Sequence, residues 1–320
     1  MAIHSRSTTT ALLRQLSRAS SSRSILAPRQ LTAPSPCALP LSPAPPSRRP
    51  SSTFSSVNPE EISHFNSLAS SWWDPQGPSR LLHLMNPLRH DFIRECRSSS
   101  SVPDPMTASS YPSHNLRYLD IGCGGGIFAE SAARLPTTAS VTAIDPSPEV
   151  LSVARAHARR DPSLRPPRLN YLSATVETLP PPESDADRFD VVSVFEVVEH
   201  VDEPVEFLRR CAAFVRPGGW LVGSTIARTW LSWFTTNLVA EDILRIVPPG
   251  THDWNKYIDD GELRGWFAGS DWTNARIMGV VYVPGLGWRE VNGSEKVGNY
   301  FFGFRKSSEG EARGEPLEKA

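Results

Sequence analysis

The sequence predicts an α/β fold, a Rossmann-like and mostly parallel sheet with helices on both faces, and three observations carry that prediction. The first is Tyr118-Leu119-Asp120-Ile121, a short run without polar alternation, as befits a strand buried on both faces. It stops at Gly122-Cys123-Gly124-Gly125-Gly126, and an amphipathic segment with Phe128, Ala129, Ala132 and Leu135 follows. Strand, glycine turn and helix in that order open a nucleotide-binding βαβ unit. The second is Val141-Thr142-Ala143-Ile144-Asp145, a strand that ends in an acid 23 residues past Gly122. An acid at that distance, at the tip of the next strand, is placed to bind both hydroxyls of a ribose. The third is a pair of further buried strands, Phe189 to Glu196 and the one fed by the turn Arg216-Pro217-Gly218-Gly219. The glycines are spaced G-x-G-x-G, not the G-x-G-x-x-G that cradles a dinucleotide pyrophosphate. Asp120, just before the turn, can hold a ligand with hydroxyls or positive charge.

Composition sets the outer limits. A chain of 320 residues can bury a full core and carry appendages. A net charge of −1 argues against nucleic acid as a partner. The four cysteines show no C-x-x-C spacing, so neither a zinc site nor a disulfide framework is indicated. Cys123 reads as a small packing residue of the glycine loop. No apolar run is long enough to span a bilayer.

Residues 1–57 contain no Asp or Glu but carry Arg6, Arg14, Arg18, Arg23, Arg29, Arg48 and Arg49 among abundant Ser and Thr. That is the composition of an organellar transit peptide, with mitochondrial import favoured, or else of an ordinary disordered tail; from residue 30 the chain is too rich in Pro and Ser to fold alone. Ordered structure should begin at Asn58-Pro59-Glu60-Glu61. Asn58 can cap a helix, proline suits its first position, and two acids suit its first turn. Ile62, Phe65 and Leu68 form the apolar stripe of that helix, and Trp72-Trp73-Asp74-Pro75 breaks it. Two adjacent indoles must cover something, either the domain body or a flat apolar ligand. A second helix should run from about Leu81 to Arg97, with Asn86-Pro87-Leu88-Arg89 inside it or kinking it. Arg89 is either a surface residue or a forked donor for a ligand carboxylate. Together with the Ser- and Pro-rich insertion 98–114 these helices make up residues 58–115, a lid on the main domain at 116–305.

Within that domain, Pro148 to Ala158 reads as the helix after Asp145, and Leu169 to Ala174 as a third strand. Thr175-Val176-Glu177-Thr178 follows, where a purine edge could be met. Val205 to Val215 reads as the helix before the P-G-G turn. At the end of the fourth strand stands Phe195-Glu196-Val197-Val198-Glu199-His200. In open α/β sheets ligands bind at that edge. Phe195 can lie against a nucleoside. If the segment is helical, Glu196, Glu199 and His200 meet at i, i+3 and i+4. Two carboxylates and an imidazole suit magnesium or manganese better than zinc, although a Glu-His pair here also fits a site without metal. Residues 230–247 are heavily apolar yet interrupted by Glu241, Asp242 and Arg245. They read as a core helix or as a lid helix resting in lipid headgroups. His252 can orient or deprotonate a phenol, or close a turn. Ala275 to Val283 and Val297 to Phe304 complete a seven-stranded sheet, and 306–320 is a charged tail.

The glycine loop, Asp145 and the pre-strand P-G-G together resemble a class I S-adenosylmethionine-dependent methyltransferase. Its donor carries no pyrophosphate, which suits the shorter loop. More particular tracts are Trp72-Trp73-Asp74, Asn86-Pro87-Leu88-Arg89, Glu196-Val197-Val198-Glu199-His200 and Gly250-Thr251-His252-Asp253-Trp254. Over about residues 58–304 the chain is similar to the ubiquinone biosynthesis O-methyltransferase family, which methylates polyprenyl-dihydroxybenzoate and demethylubiquinol. The resemblance implies S-adenosylmethionine at Arg89, Gly122, Asp145 and Phe195, with Asp120 and Gly124 beside them, and magnesium at Glu196, Glu199 and His200. It also implies a peripheral place on the matrix side of the mitochondrial inner membrane, in a complex with other ubiquinone-biosynthesis proteins. One departure is Ala227, where the family carries a polar residue. Two other classes are considered: a nicotinamide-dependent oxidoreductase, which lacks its glycine motif here, and a non-catalytic subunit that only binds the donor.

Overall fold

A computed structural model describes residues 55–99, 115–227, 258–268, 271–296 and 298–308. The transit segment and linker up to residue 54, the insertion from 100 to 114, the segment 230–247, His252 and the tail from 309 lie outside the described residues.

Five parallel strands form the first part of the sheet: β1 (Leu116–Ile121), β2 (Thr138–Asp145), β3 (Leu169–Ser173), β4 (Phe189–Phe195) and β5 (Val215–Ile226). Three more complete it: β6 (Trp272–Val283), β7 (Gly287–Glu290) and β8 (Asn299–Lys306). The order is β3-β2-β1-β4-β5-β8-β6-β7, with β8 antiparallel to both β5 and β6, and β7 antiparallel to β6. The sheet thus has eight strands where the sequence pattern suggested seven. The additional one is the four-residue β7, which folds back on β6 after Pro284-Gly285-Leu286. So short a strand leaves no periodicity to read.

The unalternating strand sequences are explained by two cores, one on each face. Tyr118, Val191, Trp220 and Phe301 point to a face covered by α2 (Arg80–Ser98), α3 (Ile127–Arg134) and α4 (Pro148–Ala158). Their chain neighbours Leu119, Val192, Leu221 and Phe302 point to the opposite face, covered by α5 (Pro204–Ala213) and α6 (Asp260–Trp266). Adjacent residues pointing to opposite faces is the period of a strand, and both faces need apolar side chains. The chain order reverses between β1 and β4, so the strand tips on either side of that point open a crevice.

The N-terminal helix α1 (Pro59–Leu68) starts as its capping residues dictate, with the Asn58 side chain accepting from the Glu60 amide. A single 3-10 turn, Ala69–Ser71, leads to the tryptophans. Pro87 lies inside α2, which runs unbroken across it. The three described cysteines, Cys96, Cys123 and Cys211, are free and buried, and burial pushes the Cys123 thiol up, as a packing residue requires.

Candidate active site at the strand tips

The glycine loop lies between the tips of β1 and β2. Gly122 adopts φ +70°, and a Cβ there would stand 2.5 Å from Val197 Cγ2, so glycine is required on both counts. Asp145 at the end of β2 braces the loop. Its Oδ2 accepts from the Gly124 amide at 3.0 Å and its Oδ1 from the Ser147 amide at 2.9 Å. Burial raises the Asp145 carboxyl, and those two amides act in the opposite direction. Each oxygen keeps a further lone pair, so the predicted ribose contact is compatible with this bracing.

Asp120 is buried and accepts from Ser193 Oγ at 2.7 Å. Burial pushes its carboxyl up to about 7, against the Ser193 hydrogen bond and the charge of Arg89. Arg89 is no surface residue: it is 4 % exposed and lies 4.9 Å above the Phe195 ring. Burial lowers its affinity for the proton, while Glu196, Asp120 and Glu199 hold the charge in place. Its Nε is buried without a hydrogen-bond partner. An orphaned guanidinium N–H beside an open cavity is a vacancy for an anionic acceptor. Phe195 packs edge-on against Phe128, with ring centroids 4.8 Å apart.

The segment after β4 differs from the helical expectation. Glu196 sits in the left-handed region at φ +54°, and only Val198–His200 forms a 3-10 turn. Ser224 on the neighbouring strand fixes Glu196 twice: its hydroxyl accepts from the Glu196 amide at 3.0 Å and donates to Oε1 at 2.5 Å. His200 shares Nδ1 with Glu61 Oε2 of α1 at 3.0 Å, and Phe65 meets its ring edge-on. Burial lowers the His200 imidazole, but Glu61, Glu199 and Glu196 outweigh it and leave it raised above its ordinary value. Among the described residues no group of three His, Cys, Asp or Glu is disposed to hold a metal ion. The helical i, i+3, i+4 arrangement expected of Glu196, Glu199 and His200 does not form here. The physical reason is the backbone at Glu196, which turns that side chain onto Ser224, while His200 turns onto Glu61.

Above the loop, the two tryptophans cover the domain body. A Cβ on Gly124 or on Gly125 would collide with the Trp72 indole, so part of the glycine run is bare for a side chain of the roof. Trp73 donates from Nε1 to the Gly125 carbonyl at 2.9 Å and stacks on His157 at 3.5 Å between centroids. Ser147 Oγ donates to Asn66 Oδ1 of α1 at 2.5 Å, and the Ser56 amide donates to Glu177 at 2.9 Å.

Sequence reasoning missed Glu61, Asn66, Ser193 and Ser224. Each is a polar residue whose partner lies 73 or more residues away, or, for Ser224, 28 residues away. At Ala227, where the family pattern has a polar residue, the side chain is buried and the amide donates to the Gly298 carbonyl at 3.0 Å.

Arg89, Asp120, Gly122, Gly124, Asp145, Phe195, Glu196, Glu199 and His200 all line one cavity of about 680 Å³. Ala174, Thr175 and Val176, at the purine-edge position, line it as well. Its size is ordinary for a site that encloses a small ligand. A reversed parallel sheet, a bare glycine cradle, an acid at the tip of β2 and a buried arginine define a class I S-adenosylmethionine-dependent methyltransferase. A methyltransferase-domain family model matches residues 119–223. The magnesium protoporphyrin IX methyltransferase of Synechocystis PCC 6803, solved with bound SAH, shares the fold at a TM-score of 0.52 and 14% identity, over 77% of this chain and 98% of that one. The mitochondrial ubiquinone biosynthesis O-methyltransferase of Candida albicans is 39% identical over 288 residues, which cover 79% of this chain and 86% of the relative. Its Schizosaccharomyces pombe counterpart is 45% identical over 235 residues, 72% and 77% of the respective chains. The chain belongs to the ubiquinone biosynthesis O-methyltransferase family and is an S-adenosylmethionine-dependent O-methyltransferase. Among the described residues no helix is long and apolar enough to cross a membrane.

Proposed function

We propose that this chain methylates a catechol-type hydroxyl on a ring bearing a polyprenyl tail, as in polyprenyl-dihydroxybenzoate and demethylubiquinol. It does so as a peripheral protein on the matrix side of the mitochondrial inner membrane, beside other proteins of ubiquinone biosynthesis. The observation that carries the reading is the buried Arg89, with an orphaned Nε, facing the same cavity as a bare glycine cradle and an acidic strand tip.

S-adenosylmethionine supplies a methyl group on a sulfonium when bound. The chain's own part is alignment and proton handling. Arg89 takes the carboxylate of the amino-acid end, the backbone of Gly122 and Gly124 borders it along the same cavity, Asp145 accepts from the ribose hydroxyls, and Phe195 packs on the nucleoside. Asp120 stands within the same charge cluster and offsets Arg89. The acceptor must lose its proton, and a phenol ionises at about 10. His200 is the base: Glu61 orients its ring from Nδ1 and raises its proton affinity, as a carboxylate behind an imidazole does. The roof of α1, Trp72 and Trp73 keeps water from the site. His252, outside the described residues, is the alternative base. Magnesium at Glu196, Glu199 and His200 follows from the family resemblance alone. No step is assigned to a metal.

The test incubates the full chain with labelled donor and a prenylated catechol, with magnesium or with chelator. Label should enter the catechol; no transfer would sink the proposal. Equal turnover with chelator would remove magnesium, and loss restored by magnesium would instate it. His200→Gln should lower kcat at least 100-fold with S-adenosylhomocysteine affinity within twofold. The same loss in His252→Gln alone would move the base there. Arg89→Lys should weaken S-adenosylhomocysteine binding about tenfold or more by losing the planar fork.

A further inference from the structure

The cavity has a second end that the chemistry above leaves unused. It runs from the strand tips along α2 to the β6–β7 hairpin, and its wall there includes the side chains of Leu81, Met85, Val280, Tyr282 and Trp288. None of these side chains carries a charge. Leu81, Met85 and Arg89 stand at i, i+4 and i+8 on α2, so one helix face passes from apolar side chains to the guanidinium over about 12 Å. The hairpin is fastened to that face at two points. Trp288 donates from Nε1 to the Leu81 carbonyl at 3.1 Å, and Arg80 donates to the Tyr282 hydroxyl at 3.1 Å. Tyr282 and Trp288 face each other across the β6–β7 pair, with ring centroids 5.5 Å apart.

The surface around this end is also apolar. Six large hydrophobic side chains are exposed among the described residues, and four of them lie on α2 or at the hairpin: Leu84, Val281, Val291 and Leu286, the last 62 % exposed. Elsewhere such residues are single.

We propose that the α2 and β6–β7 end of the cavity seats the isoprenoid tail of the acceptor, with Leu81 and Tyr282 as the residues that set tail acceptance. The proposal rests on the reading of the acceptor as a prenylated catechol. Its orientation follows from the gradient along α2: the ring hydroxyls stay at the charged strand tips, and the tail lies past Met85 toward Leu81. A tail longer than the channel leaves over Leu286 and Val291.

The test measures kcat/KM of the full chain for catechols with no tail, one isoprene unit and two. For the unaltered protein it should rise at least tenfold from no tail to two units, because each buried methylene favours binding. Leu81→Gln, at a half-buried position of the wall, should abolish that rise while turnover of the tail-less catechol and affinity for S-adenosylhomocysteine stay within twofold. Tyr282→Gln should act in the same direction, and Tyr282→Leu should keep the rise, which separates an apolar seat from a structural role of the hydroxyl. A tail-dependent gain that survives both Leu81→Gln and Tyr282→Gln overturns the seat and leaves the methyltransfer reading standing. A protein that methylates none of the catechols overturns both.

Discussion

The floor and the roof of the cavity differ in how their polar groups are satisfied. At the floor, Asp145 holds Gly124 and Ser147, Ser193 holds Asp120, and Ser224 holds Glu196, all within the sheet edge. In the roof, α1 has no buried residue and is held by single side-chain tethers, Glu61 to His200 and Asn66 to Ser147, with the tryptophan turn behind it. Stability is not uniform in a fold, and elements with few buried contacts open first. The floor is thus set before any ligand arrives, and the roof is the part that yields for exchange.

The largest effect that would sharpen this contrast is acid sensitivity of the floor. His90 on α2 donates from its ring to Ser131 Oγ at 2.7 Å and stacks on Phe128, beneath the glycine loop helix. Burial, with the charge of Arg89 added, pushes its imidazole down from 6.5 to about 4. Between those values the unfolded chain binds a proton that the folded chain does not. Stability therefore rises with pH in this window and is lost as pH falls through it, by up to about 3 kcal/mol. Denaturant midpoints from pH 7 to pH 4 should show that loss, and His90→Gln should flatten it. An unchanged slope in the variant would break the assignment.

The middle prediction tests where roof meets floor. Gly125→Ala drives a methyl into the Trp72 indole and should destabilise by about 1–3 kcal/mol, the usual range for overpacking. In a Trp72→Ala background Gly125→Ala should cost little further stability, measured as a double-mutant cycle. Additive effects would mean that Gly125 is bare for some other reason. This contact also marks what the sequence could tell. The strands, the order of helices and Arg89, Asp120, Gly122, Asp145 and Phe195 were readable, because parallel strands are unbroken apolar runs and the loop is local. That Gly124 and Gly125 lie bare under Trp72 is not legible in the sequence, because the tryptophan is distant in the chain and no pattern joins it to the loop. Spacing brings Glu196, Glu199 and His200 together only if their segment is helical throughout, and it is not. Its geometry depends on a left-handed residue pinned from the next strand, which spacing does not encode.

The smallest effect isolates the roof. Asn66→Ala removes one acceptor, Oδ1, from Ser147, whose hydroxyl still caps α4 by accepting from the Val150 amide at 3.0 Å. One such hydrogen bond is worth about 1 kcal/mol. Amide exchange over Pro59–Leu68 should accordingly quicken about fivefold, while β1 amides keep their rate and S-adenosylhomocysteine affinity stays within twofold. If β1 quickened in step with α1, the two would open together, and the roof would be part of the floor's cooperative unit instead of a cover upon it. If only α1 responds, the tether sets how often the cavity opens and leaves what the cavity holds unchanged.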